Sequence, residues 1–122
     1  MSTSTAQPTS LRVARGSLPQ ADDAAIFTGA EHGGMPLSMF LLDAPPGSGP
    51  QPHRHPYPEV FVIHAGSAVF RLGEDDVHAG TGDIVIAPTG VVHSFTATGQ
   101  SDLRLTAIHP ATRIETEWLT DA

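Results

Sequence analysis

The sequence has no cysteine in its 122 residues. Disulfides, thiolate metal ligands and a cysteine nucleophile are therefore excluded. Basic residues are scarce: six Lys and Arg stand against 13 Asp and Glu, a net charge of −7. No basic cluster of the kind that grips phosphates is present, so neither nucleic acid nor an anionic membrane is an expected partner. Long apolar runs are also missing, and no stretch approaches the roughly 18 residues of a membrane-spanning helix. Met1 to Ser10 is rich in Ser and Thr and lacks the apolar centre of a signal peptide. It reads as a polar arm, and the chain as cytoplasmic. No repeat of solenoid period occurs.

Glycine (12) and proline (11) are frequent and spread along the chain. They punctuate short apolar runs, the pattern of an all-β domain. Expected strands are Leu37 to Leu42, Glu59 to Ala65, Ala68 to Leu72, Val77 to Ala79, Asp83 to Ala87, Val91 to Ala97 and Leu103 to Ile108. Arg113 to Leu119 alternates but is also compatible with a helical turn. About eight short strands at this spacing imply a sandwich or barrel. The division is a polar arm at 1–10 and a single domain at 11–122. A domain this small buries a modest share of its surface, so pairing with a second copy is expected to help it.

The chemistry concentrates in His53-Arg54-His55. Residues two apart on an extended chain share a face, so these imidazoles can chelate one metal ion. Glu59 keeps the same odd parity, and Pro56-Tyr57-Pro58 stiffens the link between them. His93 follows the Pro88-Thr89-Gly90 turn and would have to reach the site from across the barrel. Three imidazoles and one carboxylate suit Fe, Mn, Ni, Cu or Zn better than Ca or Mg. A His-x-His alone is more often surface chemistry than a metal site, and the spacing around it decides the matter. Gly47, five residues, His53-x-His55, three residues, Glu59, six residues and Gly66 form one stretch, at 47–66. Gly82, five residues, Pro88-x-Gly90, two residues and His93 form the other, within 82–97.

These two stretches resemble the signature motifs of the cupin superfamily, matching nine of ten marked positions. The departure is Ala97, where the second motif usually has Asn. The resemblance implies a small single-domain cupin, a jelly-roll β-barrel (double-stranded β-helix). It implies His53, His55, Glu59 and His93 as ligands of one divalent transition metal near a barrel mouth.

Four protein ligands on a metal that prefers six leave room for water, dioxygen or substrate. The expectation is a metal-dependent enzyme on a small organic substrate, a dioxygenase or a Lewis-acid cyclase or isomerase, with Glu59 also serving as proton acceptor. The alternative is a non-catalytic module that binds or senses a small molecule and keeps its metal for structure. Phe61, Ile63 and Phe95 share the ligands' parity and are expected to line a substrate pocket, joined by Met39, Leu41 and Leu105, with Tyr57 at the mouth. His64 has the opposite parity and should face away. His78 and His32 fall in turn and loop positions, and His109 precedes Pro110 at a strand end with no assigned role. Arg71 and Arg104 are expected in solvent. Leu11-Arg12-Val13 is a candidate for adding a strand to the sheet edge of a second copy in a homodimer.

Overall fold

The computed structural model describes residues 11–119. Eleven strands form two antiparallel sheets. The strands are β1 (Gln20–Ala21), β2 (Ala24–Phe27), β3 (Ser38–Ala44), β4 (His53–Arg54), β5 (Glu59–Ala65), β6 (Ser67–Leu72), β7 (Asp75–Gly80), β8 (Ile84–Ala87), β9 (His93–Thr98), β10 (Leu103–His109) and β11 (Glu117–Trp118). One sheet runs β1-β2-β3-β10-β5-β8 and the other β11-β4-β9-β6-β7. Two single-turn 3-10 segments, Arg15–Ser17 and Gly29–Glu31, are the helical structure among the described residues. The fold is all-β, the jelly-roll barrel expected from the motifs.

Alternation explains why these segments become strands. Along β5 the odd residues Glu59, Phe61 and Ile63 are buried while His64 is exposed. Along β9, His93, Phe95 and Ala97 are buried, and along β10 so are Leu103, Leu105, Ala107 and His109. The buried faces of the two sheets meet, and Phe61 of one sheet packs on Phe70 and Phe95 of the other at ring separations of 5.0 and 5.8 Å. Burying such side chains drives the closure.

Three differences from the sequence reading have physical causes. β1 and β2 precede the first expected strand, because their Ala-rich sequence carries little β signal. The ambiguous C-terminal stretch contains a two-residue strand, β11, fixed by pairing with β4 rather than by its own propensity. His78 lies inside β7 opposite Val69, exposed, so the strand expected at Val77 to Ala79 holds it and the turn position does not. The arm at 1–10 lies outside the described residues. Leu11 to Val13 is exposed and belongs to no strand of its own chain.

β3 corrects the expected pocket. Its inward face carries Phe40 and Leu42, not Met39 and Leu41. Antiparallel partners directly opposite one another share a face. β10 pairs Leu105 with Leu42 and Ala107 with Phe40, so the buried odd residues of β10 select the even residues of β3.

Candidate metal centre

The four expected ligands come from three strands and one short link. β4 supplies His53, and His55 lies just beyond it, where the Gly90 amide donates to the His55 carbonyl at 3.0 Å. Glu59 opens β5. His93 opens β9 and pairs directly with His53. All four are buried, at 7% exposure or less. One potential ligand atom from each lies within 4.8 Å of those of the others.

Hydrogen bonding fixes the tautomer of all three imidazoles. His53 Nδ1 lies 2.7 Å from the Gln51 carbonyl, His55 Nδ1 2.7 Å from the Glu115 carbonyl, and His93 Nδ1 2.9 Å from the Val91 carbonyl. A carbonyl can only accept, so each Nδ1 carries the proton and donates. In the neutral ring, Nε2 then presents a lone pair. His55 Nε2 and His93 Nε2 both lie 2.9 Å from the same oxygen, Glu59 Oε1. His55 Nε2 is moreover buried with no aligned hydrogen-bond partner. Lone pairs converging on a carboxylate oxygen are stable only with a positive charge among them, a proton or a metal cation. The site therefore fits a divalent transition metal, with the outer Nδ1–H bonds orienting each ligand.

Electrostatics point the same way. Burial pushes the His53 imidazole down to about 4, against the backbone hydrogen bond to Gln51, so it is neutral and ready to ligate. Burial alone would raise the Glu59 carboxyl. The close approach of the His109, His55 and His93 imidazoles outweighs it and holds the group far below the usual carboxylate range. At His55, burial acts downward, but the Glu59 carboxylate and the Glu115 carbonyl prevail and raise the imidazole.

A fourth histidine belongs to this cluster. His109, at the end of β10, is 2% exposed, and its Nε2 stands 3.1 Å from Glu59 Oε2. Its Nδ1 is 2.8 Å from the Tyr57 hydroxyl, which accepts from the Glu115 amide at 3.1 Å. With the Tyr57 hydroxyl proton given to His109 Nδ1, the ring's other nitrogen, Nε2, carries the proton on the side of Glu59. The signal was present in the sequence, since His109 continues the odd parity of Leu103, Leu105 and Ala107.

A cavity of about 620 Å³ opens onto the cluster, with His53, His55, Glu59 and His109 in its wall. Of the expected pocket residues, Phe61, Phe95 and Leu105 line it. Met39 does not, for the register reason given above. Ile63 lies deeper in the core at 1% exposure, and Tyr57 turns to His109 instead of the mouth. Phe40, Leu42 and Trp118 take their places. His64 faces outward and bonds the Thr106 hydroxyl at 2.8 Å. Arg71 and Arg104 are exposed beside Asp76 and Asp43.

The family model described as a cupin domain matches residues 40–109. No curated protein matches the chain. Among solved structures, the chain is similar to a cupin-like protein from Thermotoga maritima, with 23% identity over 88% of this chain and 86% of that one, and a TM-score of 0.69. A double-stranded β-helix protein from Klebsiella pneumoniae is 19% identical over 92% of this chain and 99% of that one, also at 0.69. An oxalate decarboxylase variant from Bacillus subtilis is 21% identical over 79% of this chain, with a TM-score of 0.71, but only 28% of that longer chain is covered. At these identities the likeness is one of fold.

Proposed function

The chain belongs to the cupin family, and from that premise we propose that it is a metal-dependent enzyme acting on a small organic substrate, by oxygenation or by Lewis-acid cyclisation or isomerisation. The observation that carries the reading is the cavity of about 620 Å³ ending on His53, His55 and Glu59. A metal kept for structure alone needs closed coordination and no such access. When bound, a divalent transition metal supplies Lewis acidity at a substrate oxygen and, if redox-active, a place for dioxygen.

The chain's own residues do the rest. The Nδ1–H bonds hold His53, His55 and His93 in one tautomer and one orientation. Phe61, Phe95 and Leu105 exclude water from the far wall and fit an apolar substrate body. Glu59 keeps its charge through the histidines around it, which suits a ligand better than the proton acceptor also expected of it. His109, with its Nε2 facing Glu59 Oε2, is the neighbouring group able to hold a proton there.

The working form in this proposal is a homodimer. Cross-strand pairing aligns Ile86, Val60, Ile108 and Met39 in one row on the outer face of the larger sheet, with Ile84 and Val62 beside it. Ile84 and Ile86 are exposed by 63% and 56%. A second copy is the natural cover for this uncharged strip in an otherwise acidic chain.

Metal analysis of the purified protein tests the centre. About one transition-metal ion per chain is expected, falling by at least about tenfold in affinity in His53→Ala and His93→Ala. Equal metal content in the wild type and both variants would sink the reading. Oxygen uptake with enolisable or phenolic substrates, compared with anaerobic turnover, then separates oxygenation from isomerisation.

A further inference from the structure

Trp118 is the chain's sole tryptophan, and it is 55% exposed. It lines the cavity, with its ring centroid 4.8 Å from that of His53. An exposed indole leaves a large apolar area in water, which is costly unless something covers it. Its placement is not loose. β11 pairs Glu117 with Arg54 and Trp118 with His53, and the Leu119 amide donates to the Pro52 carbonyl at 3.0 Å. The Arg54 guanidinium grips both Glu117 oxygens, at 2.8 and 3.1 Å. A rigidly held, half-open indole therefore stands beside a candidate ligand, on the wall of the cavity that leads to the metal centre.

The charge around that cavity is one-sided. The chain contains no lysine, and none of its six arginines lines the cavity. Asp22 and Asp23 do line it. An anionic group on the body of a ligand, away from the metal, would lie near these acidic residues without a compensating cation. Phe40, Leu42 and Phe95 offer apolar contact instead.

We propose that Trp118 is a substrate-binding platform: the cavity takes a planar, uncharged organic body stacked on the indole, with a single polar head directed to the metal centre. This rests on the reading of the site as a small-molecule metal centre and names the class of substrate, a phenol- or enol-type molecule without a second anionic group. Ligands with a second anionic group away from the metal, such as sugar phosphates, are disfavoured by the same charge argument.

The test is calorimetric titration of the metal-loaded protein with β-naphthol and with the same naphthol carrying a sulfonate on its far ring. The two probes share a head and differ in the charge of the body. β-Naphthol should bind one to one, and the sulfonate at least about tenfold more weakly, a difference of about 1.4 kcal/mol. Trp118→Ala should weaken naphthol by about tenfold, Trp118→Phe by no more than about threefold, and Asp22→Asn with Asp23→Asn should recover part of the sulfonate's loss. The metal content of all variants should match the wild type, because none of these residues is a ligand. Absence of naphthol binding by the wild type, equal naphthol affinity in Trp118→Ala, or equal affinity for the two probes would overturn the proposal. Stacking does not require the metal, so the effect of Trp118→Ala should persist in metal-free protein. Failure of the metal-centre reading is scored separately, by metal content in the histidine variants.

Discussion

The candidate site is defined by which nitrogen of each histidine is free. Three carbonyls, of Gln51, Glu115 and Val91, take the Nδ1 protons and leave three Nε2 lone pairs turned inward. His53, His55, Glu59 and His93 were legible in the sequence because their spacing and the glycines around it are regular. Their carbonyl partners were not, because Glu115 comes from a stretch with no clear periodicity. His109 was legible by parity, yet its contact depends on Tyr57, which the sequence placed at the mouth. Its role gives a prediction at this scale. Replacing His109 with Phe removes the imidazole facing Glu59 Oε2 and should lower metal affinity by about tenfold or more, the usual cost of losing a group that orients a ligand. Competition with a metal-binding indicator measures it. An affinity equal to the wild type's would mean that His109 does not orient Glu59.

At the level of elements, the strands that alternate strongly were readable and the short ones were not. β5 has the bounds expected of it, Glu59–Ala65, because β-branched and aromatic residues fill both of its faces. β3 was found but turned the wrong way, since its Met-Phe-Leu-Leu run is apolar on both faces. Only the β10 register decides which side is inward. The loop between β3 and β4 shows the same dependence on tertiary contact. Gly47 was singled out from its place in the first motif, but Gly49 carries the tighter constraint: a Cβ there would fall 1.7 Å from the Phe95 carbonyl oxygen. That oxygen is backbone in the middle of β9 and cannot step aside. Gly49→Ala should therefore displace the loop from β9 and destabilise the fold by several kcal/mol, on the order of the largest single-residue effects. Gly16→Ala, with nothing within 4 Å of the added carbon, is the control and should change the midpoint of thermal unfolding little. Similar midpoints for the two variants would count against the packing described here.

At the scale of the whole molecule, the barrel has two apolar surfaces and covers one of them itself. The inner surface is closed by the two sheets packing on one another. The outer surface of the larger sheet carries the Ile86-Val60-Ile108-Met39 row, with Ile84 and Val62 beside it, ending at β8, whose far side pairs with no described strand. The sequence reading put Met39 in the substrate pocket. Its outward placement takes an apolar residue from the pocket and adds it to this strip, so one register decision shapes both the cavity and the proposed interface. A sheet edge flanked by exposed isoleucines invites further association unless a partner occupies it. If a second copy is that partner, sedimentation at tens of micromolar should give a dimer of the 12.8 kDa chain. Ile84→Lys combined with Ile86→Lys should shift it to monomer, because each lysine would set an uncompensated charge in the apolar contact. Neither residue lines the cavity, so metal content and naphthol binding should persist in the double variant. A wild type that sediments as a monomer, or a double variant that dimerises as well as the wild type, would rule out this face as the interface between copies.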